Sequence, residues 1–241
     1  MTHSATSPNA DRSLRARHLS RRFGQTHAVD DLSLCVEAGE VCGFLGLNGA
    51  GKTTSLRMLC GTLAPDAGEV AIMGHDLHQQ PLAARAQLGF LPDTPPLYPE
   101  LTVDESLIYC AELHKVDRAN IQRACESAKS KTGLLDCGSK RVSALSRGFR
   151  QRLGIAQTVV HQPAAIVLDE PTSGLDPRQI EEIRELIRSL AEDAAVLLST
   201  HQLADVHAVC NRVAVMHNGK LAYDAAVDAD LDTRFFELTQ S

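Results

Sequence analysis

The sequence predicts an α/β domain with a mostly parallel sheet, an antiparallel β region and an inserted helical subdomain. Short, continuous apolar runs of the kind that central parallel strands show lie at residues 41–45, 165–168 and 195–198. A glycine-rich turn follows the first run and leads into a helical pattern. From about residue 102 to 162 the pattern is helical and offers no strand candidate, so the helical subdomain is placed at approximately 95–162.

The remaining elements are predicted from periodicity and from the residues that interrupt it. Further strands are expected at 14–23, 32–36, 68–73, 87–91, 212–216 and 220–223. Helices are expected at 54–60, from 102 onwards, and at 118–129, 146–160 and 178–190. Asn218-Gly219, between the last two strands, is the strongest short hairpin signal. Thr102, with Glu105 three residues later, predicts a capped helix start.

Composition and charge restrict the class of protein. A chain of 241 residues is long enough for one large α/β domain, placed here at 13–241, and no run approaches the roughly 18 apolar residues of a membrane span. Residues 1–12 are predicted to be a flexible tail rather than a signal peptide, because they lack an apolar run. The net charge of −6 argues against a nucleic-acid surface, so no nucleic-acid partner is expected. Seven cysteines without a C-x-x-C pair indicate reduced thiols rather than a metal site.

Residues 46–53, GLNGAGKT, match the phosphate-loop pattern G-x-x-x-x-G-K-S/T. Glycines let backbone N–H groups converge on a polyphosphate, and the following helix N-terminus adds unpaired donors. Lys52 can reach the β- and γ-phosphates, and the Thr53 hydroxyl can ligate Mg²⁺. A strand before the loop and a helix after it argue against a chance match, so we predict a P-loop NTPase (RecA-like) core. The predicted nucleotide-binding residues here are Asn48, Gly49, Ala50, Gly51, Lys52, Thr53 and Thr54.

Two adjacent acids, Asp169 and Glu170, follow the second apolar run. Carboxylates at the carboxyl end of a parallel strand face the crevice where ligands bind. Asp169 is suited to holding Mg²⁺ through its water shell, and Glu170 to polarising an attacking water. Adjacent acids are also common in loops, but the phosphate loop upstream favours the catalytic interpretation.

Three further segments carry a family resemblance. LSRGFRQR at 145–152 looks like a variant of the LSGGQ signature, and SGLDP at 173–177 resembles a D-loop. Ser199-Thr200-His201 resembles the switch-histidine segment. With the phosphate loop and the two acids, these motifs follow one another in the order found in ATP-binding cassette (ABC) ATPases. The resemblance covers residues 13–238.

The resemblance implies a composite ATP site between two cassettes stacked head to tail, here taken as a homodimer. Each ATP would lie between one phosphate loop and the partner's signature, where Ser146 caps a helix whose N-terminus includes the Gly148 amide. His201 would sense the γ-phosphate, although a lone histidine after a strand is more often structural. Phe23 falls where the family places an aromatic ring against adenine, and a core phenylalanine is the competing interpretation.

The implied function is the ATP-hydrolysing subunit of an ABC transporter, with ATP and Mg²⁺ as cofactors. It would sit on the cytoplasmic face of the inner membrane and drive a separate permease. Two departures from the family pattern make this chain similar to the cassettes of bacterial exporters. Asp93 stands where glutamine is usual; it can ligate Mg²⁺ and take part in catalysis but cannot donate a hydrogen bond. Arg147 and Phe149 replace glycine and glutamine, and Arg147 is expected to add charge near the partner's γ-phosphate.

Two other functions compete with this interpretation. A soluble ABC ATPase acting on ribosomes, DNA or an assembly machine usually carries two cassettes or long insertions, which are missing here. A non-hydrolysing ATP-gated clamp is disfavoured by the presence of Glu170 and His201, and Asp93 is the only residue that favours it.

Overall fold

Two β-sheets organise the structure, a computed structural model that describes residues 13–239. The strands are β1 Ser13–Phe23, β2 Thr26–Glu37, β3 Val41–Leu45, β4 Ala67–Ile72, β5 His75–Asp76, β6 Leu88–Leu91, β7 Ala165–Asp169, β8 Ala195–Thr200, β9 Arg212–His217 and β10 Lys220–Ala226. The helices are α1 Lys52–Leu59, α2 Pro81–Ala86, α3 Val103–Leu113, α4 Ile121–Thr132, α5 Arg147–Val159, α6 Pro177–Ala191, α7 Leu203–Val209 and α8 Leu231–Thr239.

The larger sheet has the strand order β10-β9-β3-β8-β7-β6. Its strands are parallel except for β10, which pairs antiparallel with β9. Every residue of β3, β7 and β8 is buried, which confirms that the three apolar runs are central parallel strands. The carboxyl ends of these three strands therefore meet at one edge of the sheet.

The smaller sheet is antiparallel, in the order β2-β1-β4-β5, and the predicted antiparallel region is thereby confirmed. Strand β2 begins at Thr26, six residues before the predicted start, because Phe23 pairs with Thr26 across a tight turn. Gly24 stands in that turn with a φ of 60°, a conformation that favours glycine.

Two hydrophobic cores lie on opposite faces of the parallel sheet. Alternate residues of each central strand point to opposite faces, so Cys42 and Phe44 of β3 pack with α1 and the antiparallel sheet. Ile166 and Leu168 of β7 pack instead with α6 and the helices that follow β6. The fully apolar pattern of these strands follows from this double burial.

Helices α3, α4 and α5 lie between β6 and β7, as the predicted helical insertion requires. They share one core with α6, to which Leu107, Leu134 and Leu153 contribute. Helix α4 begins three residues later than predicted, and α1 begins two residues earlier. The limits 95–162 for the subdomain remain a prediction.

Three short helices, α2, α7 and α8, were not predicted. The flexible tail predicted for residues 1–12 lies outside the residues that the structure describes. Within residues 13–239, no helix is both long enough and apolar enough to span a membrane.

Candidate functional site

A cavity of about 1000 Å³ opens at the carboxyl ends of β3, β7 and β8. This volume is at the upper end of the range for small-molecule sites. Most of the residues predicted from the sequence line it: Asn48, Gly49, Gly51, Lys52, Thr53, Thr54, Asp93, Asp169, Glu170 and His201. The parallel order of the strands brings together residues that are more than 140 positions apart in the chain.

The loop between β3 and α1 leaves a helix N-terminus open toward the cavity. Gly51 is the N-cap of α1 with a φ of 104°, and no side chain accepts a hydrogen bond from the first turn. The first turn also lacks acidic residues that would offset the positive end of the helix dipole. Backbone N–H groups in this arrangement fit a phosphate anion.

Lys52 is buried beneath this loop. Its Nζ donates hydrogen bonds to the carbonyl oxygens of Gly46 (2.6 Å) and Leu47 (3.2 Å). Burial lowers the pKa of Lys52, while the carboxylates of Glu170 and Asp169 act in the opposite direction. A buried ammonium that bonds only neutral carbonyls is poorly compensated, so an anionic phosphate would stabilise it further.

Three carboxylates also line the cavity, namely Asp169, Glu170 and Asp93. Burial raises the pKa of Asp169, and the negative charges of Glu170 and Asp93 raise it further. Among the described residues, no group of three or more His, Cys, Asp and Glu side chains is arranged to hold a metal ion by itself. Mg²⁺ usually takes only one or two carboxylates and completes its shell with water and substrate phosphates. The donor set therefore fits Mg²⁺ bound together with a nucleotide, with Thr53, Asp169 and Asp93 as candidate ligands.

Glu170 and His201 form a direct pair. The Nδ1 atom of His201 lies 2.9 Å from both carboxylate oxygens of Glu170. An ionised carboxylate can only accept, so Nδ1 carries the proton in this contact and Nε2 of a neutral ring is an acceptor. Glu170 has a φ of 50°, an uncommon conformation for a residue with a side chain. The strand end thus turns sharply and directs the carboxylate to the histidine.

Four predicted binding residues do not line this cavity: Phe23, Ala50, Ser146 and Gly148. Phe23 is half exposed, and the Arg21 guanidinium lies 5.2 Å from its ring centroid. Ala50 is buried and belongs to the hydrophobic core that contains α1. Ser146 caps α5 by accepting a 3.4 Å hydrogen bond from the Phe149 N–H.

Arg147, the first residue of α5, contacts the D-loop segment of its own chain. Its Nη2 donates to the Ser173 carbonyl oxygen at 3.0 Å, and Ser173 also lines the cavity. The signature helix and the cavity rim are thus joined within one chain. The charge that Arg147 is predicted to offer a partner's γ-phosphate stays a prediction.

Sequence comparisons agree with this geometry. A family model described as ABC transporter matches residues 29–173. The ABC transporter ATP-binding protein NatA of Bacillus subtilis (strain 168) is 38% identical over 87% of this chain and 88% of its own length. Nod factor export ATP-binding protein I of Paraburkholderia xenovorans (strain LB400) is 36% identical over 88% of this chain and 70% of its own length.

The chain belongs to the ABC transporter family. A solved structure described as the ATP binding subunit of an ABC transporter superposes with a TM-score of 0.81 at 30% identity, covering 95% of both chains. The fold class predicted from the sequence is thereby confirmed. This ABC ATPase is an ATP-binding transporter subunit, and membership of the family implies that it hydrolyses ATP.

Sequence reasoning missed one wall of the cavity of this ABC ATPase. His27, Ala28, Asn218 and Gly219 line this wall. The Gly219 N–H donates to the Ala50 carbonyl oxygen at 3.1 Å, so the β9–β10 turn rests directly on the phosphate loop. Asn218-Gly219 was predicted as a hairpin turn only, and no local signal indicates which loop the turn contacts.

Proposed function

We propose that this ABC ATPase powers a separate membrane permease, and that two copies close head to tail around two Mg²⁺-bound ATP molecules. The observation that carries the proposal is the separation of the site into two parts. The phosphate loop, the carboxylates and His201 share one cavity, while Ser146 and Gly148 do not line it. A triphosphate that contacts both parts therefore needs a second chain to supply the α5 end.

The first part of the site holds and orients the nucleotide. Lys52 exchanges its two carbonyl hydrogen bonds for phosphate oxygens, and the open N-terminus of α1 donates backbone N–H groups to them. Thr53, Asp169 and Asp93 would hold Mg²⁺, which would neutralise charge on the phosphates. Phe23 lies on the antiparallel sheet, where it provides a face for adenine.

Glu170 is the base in this proposal. Its carboxylate accepts a hydrogen bond from the attacking water and takes its proton as the water oxygen bonds to the γ-phosphorus. The bond from that phosphorus to the β–γ bridging oxygen breaks, and ADP and phosphate are the products. His201 orients that carboxylate through the 2.9 Å contact. His201 can reach the γ-phosphate as a donor only if Nδ1 leaves Glu170 or if Nε2 is also protonated. When the ring is neutral, the phosphate therefore competes with Glu170 for its single N–H donor.

Export is the proposed direction of transport. The relative from Paraburkholderia xenovorans carries export in its name, and it is 36% identical over most of this chain. This chain has Asp93 and Arg147 at positions where glutamine and glycine are usual. In these two departures it is similar to the cassettes of bacterial exporters. The ATPase would bind at the inner face of the plasma membrane through the permease.

A Glu170→Gln substitution tests the base. Glutamine preserves the shape but cannot take the proton, so we expect turnover to fall by about 10²- to 10⁴-fold while ATP still binds. With ATP and Mg²⁺, the variant should elute as a dimer in size-exclusion chromatography. Lys52→Ala is the matched control and should stay a monomer, because it loses the nucleotide contact. Wild-type turnover in the Glu170→Gln variant would contradict the assignment.

Membrane coupling is tested by purifying the tagged chain from its native cells. We expect it to be recovered from the membrane fraction with one integral membrane protein. Recovery with ribosomes or DNA would contradict the transporter role but not the role of Glu170.

A further inference from the structure

Asp205, on α7, is a buried carboxylate outside the nucleotide cavity. Only 1% of the residue is exposed, and it is not among the residues that line the cavity. Its Oδ2 accepts hydrogen bonds from the hydroxyls of Thr172 (2.7 Å) and Thr200 (3.3 Å). Its Oδ1 accepts two from the Arg184 guanidinium, at 2.7 and 3.0 Å. A single carboxylate thus joins three separate segments of the chain.

Two of the segments that Asp205 joins carry the proposed base and the proposed sensor. Thr172 stands two residues after Glu170, and Thr200 immediately precedes His201. Thr200 is held further, because its Oγ1 accepts a 3.0 Å hydrogen bond from the Gln202 N–H. The contact between the base and the histidine therefore has a common support behind it.

The backbone at Glu170 needs such support. A φ of 50° is unfavourable for a residue with a side chain, and conformations of this kind persist when the surroundings hold them in place. The Glu170 N–H donates to the Ser199 carbonyl and the Ser173 N–H donates to the Glu170 carbonyl, at 3.0 and 3.1 Å. Asp205 adds a side-chain contact to this turn, because its carboxylate accepts the hydrogen bond from the Thr172 hydroxyl.

We infer that Asp205 is a positioning residue for ATP hydrolysis, which sets the spacing of Glu170 and His201 through Thr172 and Thr200. This inference rests on the proposed roles of Glu170 and His201. Arg184 compensates the buried charge, so the carboxylate keeps both hydroxyls as donors. A purely structural carboxylate would affect folding, whereas a positioning residue affects turnover at unchanged nucleotide binding.

A set of threonine variants separates the two roles without disturbing the buried ion pair. Thr172→Val keeps the shape but loses the donor, and Thr172→Ser keeps the donor. We expect Thr172→Val to lower kcat about tenfold with the KM for ATP within about twofold, because small displacements of a reacting group are costly. Thr172→Ser should restore at least half of the wild-type kcat.

Thr158→Val is the matched control. Thr158 is also buried and its hydroxyl donates to a backbone carbonyl, that of Gly154, at 2.9 Å in α5. We expect its Tm to fall about as much as that of Thr172→Val, with kcat unchanged. Equal kcat values for the two valine variants would overturn the inference, as would an unaltered kcat in Thr172→Val.

A double-mutant cycle tests whether Asp205 acts through His201. Asp205→Asn should lower kcat by about 10- to 100-fold in the wild-type chain but by less than about threefold in a His201→Ala chain. If the effects of Asp205→Asn and His201→Ala on kcat simply multiply, the inference is overturned, while the proposed role of Glu170 is unaffected. Wild-type turnover in Glu170→Gln would instead contradict the proposed base. If Asp205→Asn does not fold, the threonine variants still test whether Asp205 is a positioning residue.

Discussion

At the scale of single residues, two positions of the phosphate loop require glycine for different physical reasons. Gly49 and Gly51 both have positive φ values, 84° and 104°. A Cβ at Gly49 would meet nothing within 4 Å, whereas one at Gly51 would collide with the Ala28 carbonyl oxygen. Gly49 therefore needs only conformational freedom, and Gly51 also needs close contact with β2.

This difference predicts which of two alanine variants loses more free energy of unfolding. Gly49→Ala should lower the free energy of unfolding by about 1–2 kcal/mol, the cost of a left-handed conformation for a residue with a Cβ. Gly51→Ala should lower it by about 2 kcal/mol more, because the collision forces β2 or the loop to move. Urea unfolding of both variants without nucleotide measures the difference. An equal loss in the two variants would show that Ala28 does not constrain the loop.

The residue scale also shows where sequence reasoning stops. The phosphate loop and the acids Asp169 and Glu170 could be predicted, because each chemical role is encoded within a few neighbouring residues. The support behind Glu170 could not, since Thr172 and its acceptor Asp205 are 33 residues apart. Only the pairing of β7 with β8 brings those two segments together.

At the scale of elements, the helices differ in how their first turns are satisfied. Thr102 and Glu105 form the predicted capping box of α3, with bonds of 2.7 Å from the Thr102 N–H and 3.2 Å from the Glu105 N–H. Asn120 is the N-cap of α4, but its side chain makes no capping hydrogen bond. Two good capping residue types thus contribute differently in one chain.

We expect Thr102→Ala to lower the free energy of unfolding by about 1 kcal/mol, the usual cost of losing a cap. Asn120→Ala is the matched control and should change it by less than about 0.5 kcal/mol, because no capping bond is lost. Urea unfolding at neutral pH measures both. A larger loss in Asn120→Ala than in Thr102→Ala would contradict the assignment of the caps.

Strands and helices could be predicted where their pattern was long or was bounded by capping or turn residues. The strands β3, β7 and β8 were identifiable because they are buried on both faces and therefore apolar throughout. Helices α2 and α7 have six and seven residues, too few for a periodic pattern, and no capping side chain marks either start. Helix α7 packs against α6, β8 and the distant strand β3, whereas α2 packs against its sequence neighbours β4, β5 and β6.

At the scale of the whole molecule, the proposed ATP site is shared between two chains. One copy supplies Lys52 and Glu170 in its cavity, and the other supplies the α5 end at Ser146. Such a head-to-tail pair has two identical sites, each built from complementary halves. A defect in one half can therefore be compensated by a partner whose defect lies in the other half.

Mixing two inactive variants tests this arrangement. Lys52→Ala removes the phosphate contact, and Ser146→Asp keeps a residue that can cap α5 while placing a negative charge toward the partner's γ-phosphate. Each variant alone should be inactive. In an equal mixture, each mixed dimer should regain about half of the turnover of a wild-type dimer, because one of its two sites is intact.

The control for this mixture is a second pair whose defects lie in the same half of the site, Lys52→Ala with Glu170→Gln. A mixed dimer of that pair has no intact site, since one chain lacks the lysine and the other lacks the base. Its turnover should stay at the level of the separate variants. Turnover by Ser146→Asp alone, equal recovery in both mixtures, or no recovery in the first despite dimer formation would contradict a site shared between two chains.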